Sequence, residues 1–238
     1  MRIHTFVLGA ALALALFLFG QRRPSETQIT AIRSVVDLTH SVDSRPLDIK
    51  TASFSAQGTR IEAPSHYSRS LWTVDQIPPE RLIAPLIVID VSAKTAANPD
   101  YELSINDVSQ WEKANGQIPL GAIVMVRTGW GSRWSSAKQY RNPDPQGVSH
   151  YPGYSQDAAK FLINGRNALS LGIDTLSVDG GRSRNTPVHD FALSHSVYPL
   201  ENVAALDQVP TSGAMAVVAP TKLAGGAAGP VRIFALLQ

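Results

Sequence analysis

A chain of 238 residues with 44% hydrophobic and 17% charged side chains has length for a buried core and is too apolar for a disordered polymer. Its 21 basic and 19 acidic residues leave a formal charge of +2, with no basic run interleaved with aromatics, which argues against nucleic acid as a partner. There is no cysteine, so disulfides, thiolate metal sites and cysteine nucleophiles are excluded together.

The chain starts with Arg2 and a terminal amine ahead of "FVLGAALALALFLFG" (Phe6 to Gly20), an uninterrupted apolar run. This is the charged region and apolar region of an export signal. At about fifteen residues the run falls short of the roughly 20 that a membrane-spanning helix needs. No small-x-small pair precedes "QRRP", so residues 1–20 are read as a signal peptide or a retained N-terminal anchor. Either form predicts a periplasmic or secreted protein, touching the membrane only through residues 1–20 if they stay uncleaved. Residues 21–33 are polar and are read as a tether.

Beyond the tether, β-branched runs alternate with helical patterns. "SVVDLTH" (Ser34 to His40) and "PLIVIDVS" (Pro85 to Ser92) read as strands, the second apolar on both faces. Ser104 caps a predicted helix over "INDVSQWEKAN", which stops at Gly116. "AIVMVRTGW" (Ala122 to Trp130) is the next strand, and the Pro- and Gly-containing Lys138 to Gly153 segment a surface loop or flap. Ser155 caps a second predicted helix, "QDAAKFLINGRNALSL", stopping at Gly172. Further strands are predicted over Asp174 to Asp179, Ala214 to Pro220 and Val231 to Leu237, the last two joined by a Gly/Ala-rich turn from Lys222 to Pro230. The alternation predicts one mixed α/β domain over residues 34–238.

Serine chemistry of the nucleophile-elbow type has no G-x-S-x-G to support it, and "DGGRSRN" (Asp179 to Asn185) fits no nucleotide-binding pattern. Past the leader the histidines are His40, His66, His150, His189 and His195. Glu62 and His66 lie either side of Pro64, which places them on a loop. Pro187 and Pro199 shortly precede His189 and Glu201; taken alone, that pair reads equally well as polar residues satisfied at loop ends. Trp111, Trp130 and Trp134 read as packing residues, and Trp72 as packing or as a pocket wall. His40 is placed at a strand end, and Asp174 and Asp179 are read as turn-fixing groups; His150 and His195 receive no role.

The blocks "DLTH", "GTRIEAPSHY", "WTVDQIP", "VMVRTGW", "YPGYSQDAAKFL", "LGIDTLSVDGG", "PVHDF", "LENVAALDQVP" and "GPVRIFAL" carry a resemblance. In this order, from about Val35 to the C-terminus, the chain resembles the cyclase family, which includes bacterial kynurenine formamidases and isatin hydrolase. The resemblance implies a swivelling β/β/α fold, a homo-oligomer, and metal-dependent hydrolysis of a C–N bond in a small-molecule amide, formamide or lactam. The family signature is H-x-G-T-H-x-D-x-P-x-H. Its leading histidines and aspartate bind metal, its last histidine is an acid/base catalyst, and a later histidine and glutamate complete a second metal position.

Carried onto "AQGTRIEAPSH", the resemblance assigns Gly58, Thr59 and Pro64 to the shape of the loop and His66 to acid/base catalysis. Glu62 stands at the aspartate position, and His189 and Glu201 match the later pair. Ala56 and Arg60 replace the two leading histidines. Alanine offers no donor atom, and a guanidinium stays protonated and cannot ligate a cation. The first family metal position is therefore read as lost. One divalent ion, zinc or manganese, is expected on Glu62, His189 and Glu201, with Arg60 replacing the missing cation or binding substrate. The alternative is a metal-free, catalytically impaired small-molecule binding protein in which Arg60 clamps an anion.

Overall fold

The computed structural model describes residues 31–41 and 58–238. The predicted leader (1–20), the tether up to residue 30 and Ala56 lie outside the described residues. In chain order the first half holds β1 (Ser34–Asp37), β2 (Arg60–Glu62), β3 (Ile83–Asp90), α1 (Ser92–Ala97), β4 (Glu102–Leu103), α2 (Ile105–Asn115) and β5 (Ile123–Arg127). The second half holds α3 (Ala137–Arg141), β6 (Gly153–Tyr154), α4 (Gln156–Lys160), β7 (Ser170–Ile173), α5 (Pro187–Ser194), β8 (Tyr198–Glu201), β9 (Ala214–Pro220) and β10 (Ala228–Leu237).

Strands β3, β5, β7 and β8 lie side by side and parallel. β2 adds antiparallel to β8, and β10 antiparallel to β2. β9 pairs with both β10 and β3, which closes every strand of this sheet except β1 into a barrel-like ring. β1 lies along the far half of β10, while β4 and β6 form a separate two-stranded sheet. The domain is mixed α/β, as predicted.

Strand alternation explains the two halves of the core. On β5, Val124 and Val126 face a cluster with Trp111, Leu162 and Ala192 from the helices, while Ile123 and Met125 face the barrel interior with Ile61, Leu200 and Ile233. Helix α2 is set by its sequence at both ends. Ser104 and Asp107 form a reciprocal capping box, and Gly116 leaves the helix at φ +89°. Among the described residues, no helix is long and apolar enough to cross a membrane.

Three expectations need correction. The strand predicted over Asp174 to Asp179 lies instead at Ser170–Ile173 (β7), which takes over the last two residues of the second predicted helix. That helix runs through α4 and one π-helical turn, Phe161–Gly165, before Asn167 breaks it at φ +49°. Gly172, read as a helix stop, is a buried strand residue where a Cβ would meet Met125 Cγ at 2.6 Å. Second, the Lys138 to Gly153 loop contains most of α3 and the start of β6. Third, the turn after Lys222 is shorter than expected, because β10 begins at Ala228 in order to pair with β2.

Thr39 forms a bridge to Val203, and the adjacent His40 ring stacks on Trp134 with centroids 4.0 Å apart and planes 10° apart. Burial lowers the His40 pKa from the ordinary 6.5 to about 4. Between those pH values the unfolded chain holds a proton on this ring that the folded chain does not. Stability is therefore full above about pH 6.5 and falls as pH drops toward 4. His40→Phe keeps the stack without the titration, and urea midpoints at pH 7 and pH 5 are expected to differ less in that variant than in the parent.

Candidate metal centre

The register of β2 against β8 sets Arg60 opposite Glu201, and the period of two places Glu62 on the same face as Arg60. Gly58 and Thr59 hold this corner in place. Gly58 adopts φ +103°, a conformation open to glycine, and its carbonyl accepts from Asn202 Nδ2 at 2.9 Å. Thr59 Oγ1 donates to the Asn202 carbonyl at 2.6 Å and accepts from the His40 amide at 2.8 Å. Pro64 opens the tight turn Pro64–His66, which carries His66 outward. Glu62 thus ends a strand and His189 sits in the first turn of α5, where the sequence had suggested loops.

Four buried side chains converge. His189 Nε2 lies 3.0 Å from Glu201 Oε1 and 3.4 Å from Glu62 Oε2. On the other side, Arg60 forms a close ion pair with Glu201 Oε2, and its Nε is 3.4 Å from Glu62 Oε1. The guanidinium also donates to the Leu176 carbonyl at 2.9 Å. Burial disfavours a charge on His189, but Glu201, Asp179 and Glu62 outweigh it and hold the imidazolium up to about 12. Burial likewise pushes Glu62 up, yet the His189 contact and Arg60 bring its carboxyl down to about 2.

The donor atoms of Glu62, His189 and Glu201 all lie within 4.8 Å of one another, and all three residues are buried. One imidazole nitrogen and two carboxylates suit zinc or manganese. The second nitrogen of His189 is already engaged, since Nδ1 lies 2.6 Å from Asp179 Oδ2, so Nε2 is the one turned to the carboxylates. These residues fit a divalent ion.

The cyclase family profile matches residues 36–180. The chain belongs to the cyclase family. It is 32% identical to an isatin hydrolase of Roseibium aggregatum over 76% of this chain and 71% of that protein. It is 26% identical to a kynurenine formamidase of Salinibacter ruber, over 74% of this chain and 73% of the relative. Among solved structures, isatin hydrolase A from Labrenzia aggregata, bound to benzyl benzoate, superposes with a TM-score of 0.77 at 30% identity, covering 86% of this chain and 93% of that one. The barrel and its helices are thus the cyclase-family fold.

In this family member Glu62 and His189 line a cavity of about 580 Å³, and Glu201 lies fully buried behind them. Arg60, His66, Tyr67, Ser177, Thr186, Asp190 and Leu193 complete its lining. His66 stands at the rim, exposed to solvent. Trp72 does not line this cavity, contrary to the expectation of a pocket wall; its ring lies 5.5 Å from the Arg81 guanidinium carbon. The aromatic at the mouth is instead Tyr67, 53% exposed, which follows the family signature rather than standing in it.

Asp179 is the other omission. The sequence suggests a turn-fixing group, and Asp179 does accept the Val188 and His189 amides at 2.9 and 3.2 Å, at the start of α5. The same carboxylate orients the His189 ring. An acid a few residues ahead of a Pro-x-His helix start was the available signal. Asp179→Asn is expected to weaken zinc or manganese binding by about 10- to 100-fold, read by calorimetric titration of the metal-free protein.

Proposed function

We propose that this cyclase-family chain hydrolyses a C–N bond of a small amide, formamide or lactam, using one divalent ion held by Glu62, His189 and Glu201. The buried donor triad, two of whose members (Glu62 and His189) open onto a cavity with His66 at the rim, carries this reading. Similarity to isatin hydrolase and kynurenine formamidase over about three-quarters of the chain supports the bond class. An ion in that position would supply Lewis acidity, bringing the pKa of water from 15.7 toward about 7.

The remaining roles fall to the chain's own side chains. His66 takes a proton from the attacking water or hands one to the leaving nitrogen, the usual work of an imidazole near neutral pH. Asp179 fixes the ring of His189 and thereby the direction of Nε2. Tyr67 and Leu193 present apolar surface to the body of a small substrate, while Ser177 and Thr186 offer hydroxyls. The test is hydrolysis of N-formylkynurenine and of isatin by protein loaded with manganese or zinc, against the chelated protein. Metal-dependent turnover of either supports the assignment, and metal-loaded protein inert toward both overturns it for these substrates.

One observation favours a second reading. Arg60 already contacts both glutamates, so the carboxylates have a cation without any metal. In that case the protein is a metal-free binder of small anions with impaired chemistry, and protein that retains no metal after loading and desalting decides for it. Export through residues 1–20 to the periplasm or medium is part of the proposal, supported by the apolar leader and tested by cell fractionation. A homo-oligomer is proposed likewise, with light scattering as its test.

A further inference from the structure

Glu62 and Glu201 divide their oxygens in the same way. Glu62 turns Oε1 to Arg60 and Oε2 to His189; Glu201 turns Oε2 to Arg60 and Oε1 to His189. Each carboxylate therefore spans two neighbouring positions, and both positions attract positive charge. One holds the guanidinium. The other is enclosed by the donor triad. A plain ion pair would need one acid for one base. Here Asp179 adds a third buried carboxylate to the same network through His189.

From this arrangement we propose that Arg60 is the built-in cation of a carboxylate-bridged pair of cation positions, so that the centre accepts one metal ion and not two. This rests on the metal-binding part of the proposed function and says what fixes its stoichiometry. The charges agree. Glu62, Glu201 and Asp179 carry three negative charges, and Arg60 cancels one. With His189 neutral as a ligand, a single divalent ion brings the network to balance, and a second would leave it strongly positive while buried. The guanidinium also holds both carboxylates in place through its Nε and Nη2, and the Leu176 carbonyl anchors it from outside the pair. A guanidinium has no lone pair to offer a metal, so this position cannot be shared.

Manganese binding to the purified full chain tests the proposal. The wild-type protein is expected to bind one equivalent and to show the six-line electron paramagnetic resonance spectrum of an isolated ion. Arg60→His exchanges the fixed cation for a nitrogen donor, and it is expected to bind two equivalents with the broadened spectrum of a spin-coupled pair. Arg60→Lys, which keeps the charge, is expected to stay at one. If circular dichroism shows that Arg60→His does not fold, Arg60→Gln takes its place. Its manganese Kd is expected to fall by at least about tenfold, because a positive charge a few ångströms from the ion has been removed. Two ions or none in wild type, one ion in folded Arg60→His, or an unchanged or weaker Kd in Arg60→Gln would each overturn the proposal. Turnover is read separately: one bound ion without hydrolysis defeats the hydrolase reading and leaves this one standing.

Discussion

Glu201→Gln is expected to remove metal binding and several kcal/mol of stability together. Glu201 is fully buried; it contacts Arg60 through Oε2, while Oε1 accepts the Val178 amide at 3.0 Å and faces His189 Nε2 at 3.0 Å. Glutamine preserves the shape, and its carbonyl oxygen still accepts from Val178. The charge is what disappears. The buried Arg60 guanidinium then loses its close carboxylate partner and keeps the looser 3.4 Å approach to Glu62 and the Leu176 carbonyl. Removing one member of a buried pair costs about 3–5 kcal/mol, because the surviving charge stays desolvated. For a domain of this size each kcal/mol moves the melting temperature by roughly 2–4 °C, so a fall of about 10 °C is expected. Calorimetry gives the melting temperature and elemental analysis the metal. A variant that keeps both would show that Glu201 is neither the counter-ion of Arg60 nor a ligand.

Local rules made part of this fold legible and left another part dark. Helix α2 follows from Ser104, Asp107 and Gly116, because capping is settled within a few residues of chain. Strands β3, β5, β9 and β10 follow from β-branched runs too apolar to face water. β7 does not, since Ser170–Ile173 is short, contains Gly172, and is a strand because β5 and β8 flank it on either side. β2 is shorter still at Arg60–Glu62, and its pairing with β8 and β10 gives it its conformation. The same limit applies to the site. Family resemblance marked Glu62, His66, His189 and Glu201, and the fold brings the three metal-ligand candidates together under a cavity rimmed by His66. It gave no hint that Asp179 would reach His189 Nδ1, and it placed Arg60 in the role of the missing cation without showing that one guanidinium would engage both glutamates at once. Those are contacts between β2, β8, α5 and the loop after β7, and no spacing along the chain encodes them.

His66 separates chemistry from architecture in a way Glu201 cannot. Its backbone closes the Pro64 turn, with the His66 amide donating to the Ala63 carbonyl at 2.9 Å, and an alanine there makes the same bond. Its side chain is exposed and outside the ion-pair network of Glu62, His189 and Glu201. His66→Ala is therefore expected to change stability by less than about 0.5 kcal/mol, as exposed substitutions usually do, and to leave metal content at the parent level. What falls is kcat, by about 10²–10⁴-fold if the imidazole transfers a proton in the rate-limiting step, with KM changing little. Steady-state kinetics on the metal-loaded variant gives the answer. A folded, metal-replete variant at the parent rate would remove His66 from the chemistry and leave the ion and its ligands to act without it. A variant that lost its metal would place His66 in the ligand shell instead, a role its position at the cavity rim does not support. Glu201 and His66 thus test separate parts of one proposal: the first whether the buried charges hold an ion, the second whether the exposed imidazole uses it.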